Sequence, residues 1–134
     1  MAPLFVRTIA SDSPWAGAVE LPWEPDWDDA TLAALVEELD GVERTALVLT
    51  GPDNAHLAIG GSALAGLIVY VSYDEEQFAL AGGSDDEGTR PVVAGGTVQD
   101  YPLRYVIEPA VAVQAAWTFV QYGELDDTWE WDRG

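Results

Sequence analysis

The stretch GLIVYVSYD, residues 66–74, alternates along its whole length. Leu67, Val69, Val71 and Tyr73 fall on one side at period two, and Ile68, Tyr70 and Ser72 on the other. β-branched and aromatic residues dominate it, so the pattern predicts a central strand, which the acidic turn 74–76 ends before a second short apolar run. Nothing in the stretch is chemically reactive.

The neighbouring segments organise themselves around that strand. Residues 44–50 read as a strand, and the turn Gly51-Pro52-Asp53-Asn54 returns the chain into 55–59. With 66–74 and 77–80 these make an antiparallel meander. Residues 4–9 read as a short edge strand. Residues 90–94 and 105–107 are further candidates, separated by Gly95-Gly96 and Tyr101-Pro102. A first helix is expected over 29–40, where Leu32, Leu35, Val36 and Leu39 repeat at helical spacing, Asp28 or Asp29 supplies the cap and Gly41 follows the end. A second opens at Glu108-Pro109 and closes at Gly123, with Ala112, Ala115, Ala116 and Phe119 in a stripe that Val113, Trp117 and Val120 widen.

These elements predict an α+β fold: a mainly antiparallel sheet of about five to six strands with two helices packed on one face. At 134 residues and 49% apolar content the chain suits a single domain over 1–134. Within it, residues 11–28 carry three prolines and Trp15, Trp23 and Trp27 among acids, and read as an irregular arm laid over the body.

Charge narrows the function classes. The chain holds 24 acidic residues against 5 basic ones, all arginine, for a net charge of −19. Direct nucleic-acid binding needs basic density and is not expected, whereas an acidic surface favours either a basic partner or simply solubility. With no cysteine, disulfides and thiolate chemistry are excluded. The first residues lack the features of a secretion signal, and no apolar run approaches the roughly 20 residues that span a bilayer, so a cytoplasmic location without membrane contact is expected.

Catalytic constellations are absent from the pattern. Glu24, Asp26, Asp28 and Asp29 lie close together, but their spacing selects no acid–base pair. Asp85, Asp86 and Glu87 lack the alternating ligand spacing of a calcium loop. His56 is the sole histidine, which rules out a zinc site built on several imidazoles. Ser62, Ser72 and Ser84 have no nucleophile-elbow context, and the glycine pairs lie between strands rather than before a helix. No enzyme, metal or cofactor is expected.

The tryptophans carry the remaining signal. Trp117 sits within the helical stripe, but Trp15, Trp23, Trp27, Trp129 and Trp131 lie in irregular acidic segments, where a ring either staples a terminus to the body or anchors an interface. The candidate partner-binding residues are therefore Trp23, Glu24, Asp26 and Trp27 of the arm and Asp126, Asp127 and Trp129 of the tail. Tyr70, Tyr73 and Asp74, on and after the central strand, form the next surface.

Several segments together resemble the first-numbered immunity-protein family of bacterial polymorphic toxin systems. They are ERTALVLTG at 43–51, HLAIGG at 56–61, GLIVYVSYD, EEQF at 75–78, and DYPLRYVIEPAVAVQAAWTFVQYGEL at 100–125, with Trp129 similar to the family's terminal tryptophan. The resemblance covers roughly 32–131 and leaves the arm aside. It implies a non-catalytic protein that neutralises a cognate toxin by stoichiometric binding. Such toxins are typically deaminases of nucleic-acid bases with a basic substrate groove. An acidic scaffold or adaptor unrelated to toxins is the alternative from another class, and a small carbohydrate-processing enzyme a distant third.

Overall fold

A computed structural model describes residues 4–11, 19–24, 26–74, 76–83 and 87–133, with the backbone alone at 19–21. In chain order the elements are β1 (Thr8–Ser11), β2 (Val19–Pro22), α1 (Asp29–Glu37), β3 (Ala46–Thr50), β4 (His56–Ser62), β5 (Gly66–Tyr73), β6 (Glu76–Leu80), β7 (Thr89–Ala94), β8 (Thr97–Pro102), α2 (Pro109–Tyr122) and β9 (Trp131–Arg133). Seven strands form one sheet in the order β2-β1-β3-β4-β5-β6-β9, antiparallel at every pair. β7 and β8 form a separate hairpin.

The expected α+β architecture and meander are present, and β5 lies inside the sheet. Leu67, Val69 and Val71 are at most 1% exposed and meet Leu47, Leu49, Leu57 and Ile59 in the main core. Both helices cover this face: Leu32 and Val36 of α1 and Ala112, Ala115, Ala116, Phe119 and Val120 of α2 complete the same cluster. The alternate residue Ile68 is also buried, because the β7–β8 hairpin lies against the other face and brings Val92 with it. Gly60 permits that approach, since a side chain there would collide with Ala94.

The two helices begin as their sequences dictate. At α1, Thr31 N donates to Asp28 Oδ1 at 3.1 Å while the Thr31 hydroxyl accepts back from the Asp28 N–H. Pro109 opens α2, and Gly123, at φ +69, closes it with its N–H on Phe119 O at 2.8 Å.

Five boundaries differ from expectation. The first strand is Thr8–Ser11 rather than 4–9, and it lies inside the sheet rather than at its edge, because β2 pairs with its outer side while β3 pairs with the other. α1 stops at Glu37 rather than 40, because the Asp40 carboxylate accepts the N–H groups of Val42, Glu43 and Arg44 at 2.9, 2.8 and 3.1 Å and turns the chain. Residues 97–102 form a strand, hairpinned to β7 through Gly95 and Gly96, both at positive φ as a tight two-residue turn requires. Residues 103–105 are a 3-10 turn, not a strand, while Ile107 makes an isolated bridge to Leu67. Finally, 19–22 and 131–133 are short edge strands, so part of the supposed irregular arm and of the tail belongs to the sheet and raises its count to seven. Residues 12–18, with Trp15, lie outside the described residues.

Candidate functional site

Side chains with catalytic potential are occupied by the fold. His56, half-buried on β4, holds Nδ1 2.9 Å from Asn54 O. The Ser62 hydroxyl accepts from the N–H groups of Leu64 and Ala65 at 3.2 and 3.3 Å, and Ser72 is buried within β5. Of the acidic loop 85–87, Asp85 and Asp86 lie outside the described residues, as does Ser84. Among the described residues no three metal-ligating side chains converge. Two depressions flank the start of α2, sharing Val106, Ile107 and Glu108. In one of them Arg90 donates to Ala65 O at 2.9 Å.

Trp23 of the arm docks onto α2. Trp23 is 7% exposed, packs edge-on against Trp27 with centroids 5.3 Å apart, and meets Trp117 at 6.5 Å. Its backbone N–H donates to Arg7 O at 2.9 Å, while the buried indole N–H has no acceptor among the described residues. Trp23 thus serves the core. Glu24 and Asp26 stay exposed beside this aromatic plug, with Trp27 half-exposed.

The tail is held by one carboxylate. Asp126 is 7% exposed and accepts from Thr118 Oγ1 and Thr128 N, both at 2.9 Å, and from Gln114 Nε2 at 3.5 Å. Burial pushes its pKa up, but hydrogen bonds from the Thr128 hydroxyl and backbone, Thr118 and Gln114 outweigh it, leaving the group below the usual aspartate value. Its carbonyl accepts the Trp131 indole N–H at 2.9 Å, which sets the start of β9. Asp132 on β9 then accepts from Tyr105 Oη at 2.6 Å and pairs with Arg104 at 2.8 Å. Trp129 is half-buried, with its indole N–H buried and without an acceptor among the described residues, and Asp127 faces water.

Period two divides the third group. Tyr73 lies on the helical face, edge-on to Phe78 at 6.2 Å and beside Phe119 at the same separation, and its hydroxyl donates to Gly123 O at 2.6 Å. Burial, with the Glu124 charge adding to it, pushes the Tyr73 phenol up to about 12. Asp74 turns the chain at φ +52, exposed. Tyr70 points to the opposite face, where burial first and then Tyr101 and Tyr105 raise its pKa. The arm and tail residues both meet α2, at Trp117 and at Gln114 and Thr118, while β5 places Tyr73 and Tyr70 on opposite faces. Sequence reasoning missed the grouping of Tyr70 with Tyr101 and Tyr105, for which adjacency along the chain offers no signal.

A family model described as "Immunity protein Imm1" matches residues 27–133. The match takes in Trp27, the whole meander, both helices and the tail to Arg133, and starts after Trp23, Glu24 and Asp26. Comparisons with the curated proteins and with the solved structures give no significant match.

Proposed function

The chain belongs to the Imm1 immunity-protein family, and from that premise we propose that it neutralises its cognate toxin by occluding it at one copy per toxin. The toxin is a deaminase of nucleic-acid bases, and neutralisation takes place in the cytoplasm. The observation that carries this reading beyond family membership is the charge: −19 in 134 residues, without a single lysine. A deaminase holds an anionic polynucleotide in a basic groove, and an acidic protein is drawn into the same field.

Glu24, Asp26, Asp74 and Asp127 face water and act in that attraction. Trp27, Tyr70, Tyr73 and Trp129, each half-exposed, supply rings that a partner covers. Trp23 and Asp126 take no direct part, because they lie inside the protein.

Occlusion predicts a stoichiometric endpoint. Titrated against a fixed amount of toxin, the chain should abolish deamination at an equimolar ratio and leave residual activity in proportion below it. Complete rescue by a small fraction of an equivalent would mean that the chain turns over, and the reading would fall.

A further inference from the structure

Four large apolar side chains are strongly exposed among the described residues: Leu64 at 101%, Val42 at 78%, Tyr122 at 64% and Val98 at 62%. Single exposed apolar residues are ordinary on a protein surface, but clustered ones mark a contact. Three of these four gather at one end. The loops 40–44 and 62–66 touch, with Ala63 N donating to Leu39 O at 2.8 Å and Asp40 bridging to Ser62. The β7–β8 turn joins them through Gly96 N on Thr45 Oγ1 at 2.8 Å, which brings Val98 to the same end. Tyr122 lies at the other end of the strands, where a side chain at Gly123 or Gly51 would strike Phe5.

The loops that carry these side chains are pinned. Three backbone N–H groups on the Asp40 carboxylate fix the loop of Val42, and two on the Ser62 hydroxyl fix the turn of Leu64. Arg90 clamps that turn from outside through Ala65 O. An exposed Leu64 on a braced turn loses little freedom when a partner covers it, which is the condition for a strong anchor. Around the tips stand Glu37, Glu38, Asp40 and Glu43 against Arg44 and Arg90, and Arg44 is already paired with Glu38 at 2.7 Å.

We propose that this three-loop end is the contact that holds the toxin, with Leu64 and Val42 entering an apolar socket rimmed by lysine or arginine. The inference rests on the immunity reading and adds the surface that sets residence time. A second copy of the chain is the disfavoured occupant, because two partners each carrying −19 repel.

The test uses the full chain and, as probe, the deaminase-type toxin domain that the chain protects against in a co-expression assay, purified with its catalytic activity abolished. Val42→Ser and Leu64→Ser together remove the anchors at positions already in water, so the thermal melt should not move. Dissociation should accelerate by roughly tenfold or more, with association within roughly twofold of the parent. If the parent binds and the folded double variant dissociates at the parental rate, the inference falls while the immunity reading stands. If the parent itself fails to bind, the immunity reading falls and takes the inference with it. Loss of a parental dimer in the variant, with toxin binding intact, would assign the end to self-association and overturn the proposal. Should the variant melt lower, amide exchange of the parental complex decides: protection of 40–44 and 62–66 is expected, and unchanged exchange there overturns the inference.

Discussion

Asp126 and Asp127 are neighbours of identical chemistry with opposite duties. One sits 7% exposed beneath three donors, the other in water. Removing the buried carboxylate strands its donors, so Asp126→Ala should cost about 1–3 kcal/mol in chemical denaturation at neutral pH, while Asp127→Ala should be silent. The pH dependence has a defined sign. Because the folded protein lowers the Asp126 pKa, the unfolded chain binds the proton more readily, and the contribution is present above the ordinary aspartate value and lost as pH falls through the folded one. The gap between parent and Asp126→Ala should therefore narrow in the acid limb below about pH 4. Tyr73 has the opposite sense: its phenol, raised to about 12, keeps its hydrogen bond to Gly123 O through the ordinary tyrosine range. Its contribution is complete below the unfolded value near 10 and lost as pH rises towards 12, so in ultraviolet titration one phenolate signal present in the parent and absent from Tyr73→Phe should appear late. Neither duty was legible in the sequence, because two of the three donors to Asp126 come from α2 and the partner of Tyr73 lies 50 residues away.

Elements were legible where periodicity and burial coincide. β5 and α2 each put a continuous apolar stripe into one core, and their bounds follow from the stripe and from Pro109 and Gly123. β8 was invisible because its first four residues are all exposed, so no alternation is written into it, and only the glycine pair before it speaks for a hairpin. The end of α1 was overruled by a competing cap, since Asp40 binds three N–H groups that do not continue the helix. The edge strands β2 and β9 owe their pairing to neighbours already in place rather than to any pattern of their own. Stability should follow the same division. Phe119 is fully buried between Phe5 and Tyr73, and Phe119→Ala should cost about 3–5 kcal/mol through the lost contacts and the cavity left behind. Val69→Asp places a carboxylate in the main core and should leave the chain unfolded, as circular dichroism and a thermal melt would register; a cooperative transition at the parental temperature would contradict the assignment of that face.

For the molecule as a whole, charge acts at a distance and packing acts on contact. Neutralising Glu24, Asp26 and Asp127 together, all exposed, should slow toxin association and flatten its dependence on salt while leaving dissociation nearly unchanged. Stopped-flow binding across a range of ionic strengths reads both rates, and an unaltered salt slope would place the steering charges elsewhere. The order of the strands carries a further consequence, one of timing. Synthesis delivers the meander β3–β6 before α2, which covers it, and before β9, which borders it. While residues 81–108 are being added, the side of the sheet carrying Leu67, Val69 and Val71 has no α2 to lie against. A nascent chain in that interval exposes a row of aliphatic side chains and an unpaired β6 margin to whatever is nearby. A stalled ribosome therefore yields a sticky fragment rather than a partial antidote, and the cell's protection at any moment counts only molecules whose translation has passed α2.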